Sequence, residues 1–222
     1  MPLTDANIEN VYDSIAEGWY HLRQNPFVIF NPEKYAKSWP EGKLLDVGCG
    51  NGAYSIVFAK HGFRCVGVDA SGQMLRWAKK NTDKNKVSFP LIRANCLDLP
   101  FKDNTFDYAL SVAVFHHLDS EDKRLKAFGE VFRVLKPNGI ALVTAWNKTQ
   151  PRFIFRKADR YVAWNHKGTA YQRYYHMFAY GEMGYLAKRA GFRVLKLFPE
   201  ESYKLPVKTF SKNVCALLKK QI

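Results

Sequence analysis

Two periods of apolar and polar residues run along this chain, and the points where one gives way to the other divide it into elements. Short, nearly unbroken apolar runs at 43–47, 64–68, 87–92, 106–111 and 139–145 predict strands buried on both faces. Between them, segments 54–61, 73–80 and 120–135 carry apolar residues at helical spacing, and Leu125, Phe128, Val131, Phe132 and Leu135 mark one face of the last. That helix is expected to stop at Lys136-Pro137-Asn138-Gly139, since proline cannot continue a helix and glycine permits the turn. Such alternation predicts an α/β, doubly wound, mostly parallel sheet with helices on both faces. Two further runs, 192–198 and 212–218, add an antiparallel pair at the C-terminal edge and bring the expected sheet to seven strands. Residues 1–40 read as helices and a loop rich in aromatics and proline, and residues 146–185 are dense in Trp, Tyr, Phe, Arg and His. Both segments are expected to cap the carboxyl ends of the strands, where open α/β sheets bind ligands.

Length and composition narrow this picture. The 222 residues suit one domain with a full core, and 47% hydrophobic with 24% charged residues is globular composition. No apolar run approaches the roughly 18 residues that span a bilayer, and the N-terminus lacks a secretory pattern, so a cytoplasmic protein without a membrane segment is expected. Cys49, Cys65, Cys96 and Cys215 lie far apart without neighbouring histidines, which predicts neither a disulfide framework nor a metal site. A net charge of +14 makes a field that attracts a polyanion such as RNA, although a merely solubilising surface would have the same charge.

The chemistry begins at Leu44-Leu45-Asp46-Val47-Gly48-Cys49-Gly50-Asn51-Gly52, an apolar strand running into a three-glycine turn and then a helix. Glycine alone lets a backbone turn so tightly and approach a ligand so closely. Asp46 stands at the strand end, suited to accept from an ammonium or hydroxyl. The next strand ends in Asp69, followed by Ala70, where one carboxylate can take both hydroxyls of a ribose. Gly48-x-Gly50-x-x-Ala53 also satisfies the dinucleotide fingerprint, so a nicotinamide enzyme competes. A carboxylate just before the turn disfavours a pyrophosphate on the following helix N-terminus and favours a sulfonium amino acid.

Three features resemble class I S-adenosylmethionine-dependent methyltransferases. The Arg93–Phe101 loop is similar to the one that borders the adenine, with Asn95 at the position usually held by an aspartate and Cys96 beside it. Ser111, Val112 and Ala113 resemble the segment packed on the methionine part of the cofactor, and His116, followed by His117, would then face the acceptor. More specifically, Val11-Tyr12-Asp13-Ser14-Ile15-Ala16, Arg23, Pro26-Phe27, Trp146 and Arg173-Tyr174-Tyr175-His176-Met177-Phe178 resemble the eukaryotic tRNA methyltransferases that esterify 5-carboxymethyluridine at the wobble position. The resemblance implies a tRNA substrate, S-adenosyl-L-methionine as cofactor and activation by a small zinc-binding partner protein. Asn95, Phe27 where tryptophan is usual, and the stretch 202–211 depart from the pattern.

The residues fit that chemistry on their own terms. A carboxylate nucleophile is already ionised at neutral pH and needs alignment, not a general base. Arg23, His116, Arg173 and His176 are the cationic or donor groups suited to orient it, arginine through a bidentate fork. Tyr12, Trp146, Tyr174 and Tyr175 are candidates to stack on an extruded base. A small-molecule methyltransferase acting on a quinone-like or lipid precursor, and a non-catalytic RNA-binding protein on the same scaffold, remain the alternatives, since fold alone does not choose among them.

Overall fold

The computed structural model describes residues 5–22, 29–201 and 208–221, so Arg23 and Pro26-Phe27 lie outside the described residues, as does most of the unmatched stretch 202–211. Seven strands form one sheet in the order β3-β2-β1-β4-β5-β9-β8. They are β1 (Lys43–Val47), β2 (Arg64–Asp69), β3 (Leu91–Arg93), β4 (Phe106–Val112), β5 (Leu135–Trp146), β8 (Phe192–Pro199) and β9 (Asn213–Lys220). β1 to β5 run parallel, while β9 enters antiparallel between β5 and β8, so the antiparallel strand is one place in from the edge and β8 is the border. Strand order reverses between β1 and β4, which opens a crevice at their carboxyl ends.

Adjacent residues on each strand bury on opposite faces, which explains the unbroken apolar runs. Leu45, Ala109, Ala141 and Val143 pack with Phe128, Val131 and Val134 of α5 (Glu121–Val134) and with Met183 and Leu186 of α6 (Tyr180–Arg189). Leu44, Tyr108, Leu110 and Leu142 pack on the other face with Phe58 of α3 (Ala53–Lys60) and Tyr35 of α2 (Pro32–Ser38).

Two boundaries differ from the sequence expectation. The expected strand at 87–92 shrinks to β3, because Val87 N donates to Thr82 O, 3.1 Å, and so closes the end of α4 (Gly72–Lys84), while Pro90 has no N–H to give a ladder. The helix expected to end at Pro137 ends at Val134. Leu135 already pairs with Phe106, and Lys136-Pro137-Asn138-Gly139 forms a bulge inside β5 before Ile140 pairs with Tyr108.

The two segments outside the repeat form the cap. α1 (Asp5–Leu22) packs on α4, where Asp13 accepts from Ser71 Oγ at 2.5 Å and Gln73 N at 3.0 Å, a carboxylate at a helix N-terminus. β6 (Asp159–His166) and β7 (Thr169–His176) form a hairpin that the sequence reading did not resolve. Its turn, Lys167-Gly168, has φ of 47° and 78°, the double positive φ that matches strand twist.

Lys220 ties β9 to the bulge: its Nζ donates to Phe132 O at 2.9 Å, Leu135 O at 2.8 Å and Asn104 Oδ1 at 2.9 Å. Lys220→Met leaves two carbonyls at the end of α5 without this donor and should lower stability by about 1–2 kcal/mol. Urea unfolding should record this as a lower midpoint at unchanged slope; an unchanged midpoint would assign the clamp no energetic role.

Candidate active site

A cavity of about 710 Å³ opens over the crevice, within the range of small-molecule sites. Its floor is the turn after β1. Gly48 has φ +70°, and a Cβ there would lie 2.3 Å from Val114 Cγ2, so only glycine admits the turn after β4. Gly50, at φ +53°, faces open space. Gly52 lies behind the cavity and caps α3 at φ +72°, close to Ala78 and Phe89, and Ser111 is buried in the sheet with its Oγ unpaired. Neither of these two expected cofactor residues is among those that line the cavity. Asp46, Gly48, Gly50, Asp69, Ala70, Asn95, Cys96, Val112 and Ala113 do line the cavity.

Asp46 is 2% exposed and accepts from Ser55 Oγ at 2.6 Å. Asp69 accepts Gly50 N at 2.8 Å on one oxygen and Ser71 N at 2.9 Å on the other, so each oxygen keeps lone pairs for a further donor. Burial pushes both carboxyls up to about 6, with their mutual repulsion adding at Asp46, and Asp13 and Glu9 adding at Asp69. Two carboxylates with spare acceptor capacity, Asp46 buried and Asp69 half-buried, fit a ligand bringing an ammonium and a pair of vicinal hydroxyls. Asn95 has its Oδ1 engaged by Leu97 N at 2.9 Å and presents an amide at the rim.

Another part of the lining comes from β7, whose side chains alternate between two faces. Arg173 and Tyr175 line the cavity, whereas Tyr174 and His176 point to the opposite side. This corrects the expectation for both. Tyr174 donates to Asp159, and His176 bridges Asp159 Oδ1 at 2.7 Å and Glu182 Oε1 at 2.6 Å, which ties the hairpin to α6. Tyr175 is held between His116 and Trp146, with ring centroids at 4.7 and 4.4 Å.

Arg173 is 4% exposed and makes no ion pair among the described residues, and its Nε is buried without a partner. Three rings surround the guanidinium instead: Trp164 at 4.9 Å, Tyr175 at 5.3 Å and Trp19 at 5.8 Å. His116 Nδ1 accepts from Trp146 N at 3.2 Å, and burial beside His117 and Arg173 holds its pKa well below the usual value. It is a neutral donor through Nε2–H, not the cation its residue type allowed. His117 donates from Nδ1 to Tyr174 O at 2.8 Å and accepts the Tyr12 hydroxyl on Nε2 at 2.8 Å; burial lowers its pKa to about 3.

Trp19, Trp164, Gln150 and Asn213 line the cavity and were not anticipated, and His117, the neighbour of His116, lines it too. Trp19 stands seven residues after Tyr12 on one face of α1, a periodicity that was legible. Trp164 is brought beside Arg173 only by the hairpin register, in which Val162 faces Arg173.

The parallel sheet with one antiparallel strand, the glycine turn and the acidic ends of β1 and β2 define the class I S-adenosylmethionine-dependent methyltransferases. Residues 45–143 match the methyltransferase domain family. The chain is 33% identical over 215 residues to the tRNA (carboxymethyluridine(34)-5-O)-methyltransferase of Schizosaccharomyces pombe, covering 85% of this chain and 90% of that protein. It belongs to that family. The Saccharomyces cerevisiae member is 33% identical over 140 residues, but this chain spans only 47% of its length. Among solved structures, Burkholderia thailandensis 1,6-didemethyltoxoflavin-N1-methyltransferase with bound S-adenosylhomocysteine superposes with a TM-score of 0.71 at 19% identity over 100% of this chain and 93% of that one. A methyltransferase in complex with the Haloferax volcanii Trm112 methyltransferase activator gives 0.71 at 16% identity, covering 97% and 98%.

The two raised carboxyls have a thermodynamic consequence. The folded chain holds protons up to about pH 6 that the unfolded chain releases near pH 4, so stability present below pH 4 is lost as pH rises through that window. Each ionised carboxylate costs on the order of 3 kcal/mol at neutral pH. Asp46→Asn should therefore raise the Tm of the ligand-free protein at pH 7.5, not at pH 4, while weakening cofactor binding. Calorimetry at both pH values checks this, and a lower Tm at pH 7.5 would contradict it.

Proposed function

We propose that this chain transfers a methyl group from S-adenosylmethionine to the carboxylate of 5-carboxymethyluridine in tRNA, within a single methyltransferase domain capped by α1 and the β6–β7 hairpin. The observation that carries this reading is Arg173, a buried cation caged by aromatic rings beside the cofactor crevice, with no protein carboxylate to neutralise it. A buried arginine is costly until an anion reaches it, and a planar carboxylate fits its fork. The net charge of +14 and the family membership support a polyanionic substrate.

In this mechanism the bound cofactor supplies an electrophilic methyl group on a sulfonium. Asp69 would accept from the ribose hydroxyls, Asp46, held by Ser55 behind it, would accept from the ammonium, and Asn95 and Cys96 would border the adenine. Ala70, Gly48, Gly50, Val112 and Ala113 complete the cleft. The incoming carboxylate needs no base, and neutral His116 and His117 have no proton to remove from it. Arg173 binds and orients it, His116 Nε2–H and the Tyr12 hydroxyl stand on the same wall, and the rings of Tyr175 and Trp146 support the base while keeping water out. Tyr174 and His176 act as struts beneath that wall. Arg23 is not assigned a role, because it lies outside the described residues.

Arg173→Met should leave cofactor affinity unchanged and lower kcat/KM on tRNA carrying 5-carboxymethyluridine by about 10- to 100-fold, the worth of a hydrogen bond to a charged group. Mass spectrometry of tRNA nucleosides, with and without the protein, reads the reaction itself. Identical wobble uridines in both samples would sink the proposal.

The same reading includes tRNA as partner and a small zinc-binding activator protein. Support comes from the structural likeness to a methyltransferase in complex with a methyltransferase activator and from exposed apolar side chains, Phe155 at 97% and Leu22 at 68%. Co-expression with an activator of this class should raise soluble yield, Tm and methylation activity together, since a partner that binds only the folded chain stabilises it by mass action. Full activity and an unchanged Tm for the isolated chain would show the partner to be dispensable.

A further inference from the structure

The cavity lining includes a polar residue that the methyl-transfer chemistry does not use. Asn213, the first residue of β9, faces Trp146 across the β5–β9 ladder, lines the cavity and is 2% exposed. Its Nδ2 donates to Glu200 Oε2 at 2.5 Å. A carboxylate only accepts, so this bond sets which way the amide points: nitrogen toward Glu200, oxygen away from it. Glu200 is itself fixed, since its backbone N donates to Ser211 Oγ at 2.9 Å and that hydroxyl donates to Asn213 O at 2.5 Å. Asn213 Oδ1 is left buried and without a partner. An orphaned buried acceptor in an otherwise closed network is costly to the fold and calls for an explanation in a ligand.

Gln150 repeats the arrangement. It lines the same cavity and commits its Nε2 to Asn147 O at 2.8 Å and Lys212 O at 3.3 Å, so the polar atom it can still offer is also an acceptor. Two other lining residues hold unsatisfied donors: Arg173 Nε and Trp164 Nε1, both buried and unpaired. The lining thus offers buried donors and acceptors together with aromatic faces. The matching ligand is a flat heterocycle with a carboxylate on one edge and an N–H on another.

We infer that Asn213 is a specificity-determining residue that accepts the ring imide N–H of a uracil on Oδ1 and rejects cytosine. This rests on the carboxymethyluridine reading above. Uracil carries a proton on N3, whereas cytosine has a lone pair there that would face the lone pairs of Oδ1 with nothing between them. A site built to bond a particular hydrogen discriminates strongly against an isostere lacking it, because its own buried group then stays unpaired. Trp146, beside Asn213 in the ladder and against Tyr175, offers the face on which a base would present that edge.

The test compares two anticodon stem-loop RNAs, one with 5-carboxymethyluridine and one with 5-carboxymethylcytidine at the same position, with the full chain and any activator it needs. Wild type should methylate the uridine RNA with a kcat/KM at least about 100-fold above the cytidine RNA. Asn213→Ala should narrow that ratio by about 10-fold or more while leaving cofactor affinity, which reports the intact fold, unchanged. Equal rates on the two RNAs with wild type, or an undiminished ratio in the variant, would overturn the role of Asn213 and leave the methyltransferase reading standing. The wild-type comparison decides the first point even if the variant does not fold. Methylation of neither RNA by wild type would instead overturn the substrate reading, and this inference with it.

Discussion

The site depends on the absence of one methyl group. Because Gly48 has no Cβ, Val114 can lie against the turn after β1, and the loops at the carboxyl ends of β1 and β4 meet across the switch point of the sheet. That contact forms the floor of the cavity and sets where the short helical turn Phe115–His117 begins, and so where His116 and His117 stand. Everything on the acceptor side is referred to this position: His116 receives Trp146 N from the end of β5, and His117 joins Tyr12 of α1 to the backbone of β7. A bulkier residue at position 48 would push apart the two halves that hold cofactor and acceptor.

Charge is distributed through this frame in a way that a ligand-free chain has no use for. Two carboxylates, Asp46 buried and Asp69 half-buried, each with spare acceptor capacity, line the cavity, and so does a buried guanidinium without a counter-ion among the described residues. Neither sign of charge neutralises the other internally, since no ion pair joins them among the described residues. The stability lost to these groups is offset when a cationic cofactor and an anionic acceptor enter, so binding energy goes to groups already oriented. The neutral histidines belong to the same logic: in so buried a place beside Arg173, a second positive charge would be repelled, and each ring serves as a directional hydrogen-bonding group.

Much of this was legible in the chain itself. Unbroken apolar runs with helical periods between them determined the doubly wound sheet, since strands buried on both faces admit few polar residues. The spacing of Asp46, Gly48, Gly50 and Asp69 marked the turn and strand ends that line the crevice, because a backbone turn and a strand end are local features. What the tertiary structure decided was facing and company. Arg173-Tyr174-Tyr175-His176 reads as one functional block, yet the two-residue period of β7 sends alternate members to opposite sides, and the strand assignment needed to see this came only from the hairpin pairing. Trp19, Trp164 and Asn213 are far apart in sequence and reach the cavity through α1, β6 and β9 respectively. Local sequence specifies which groups a strand or turn carries; which of them meet is set by long-range packing, whose register no short stretch of residues records.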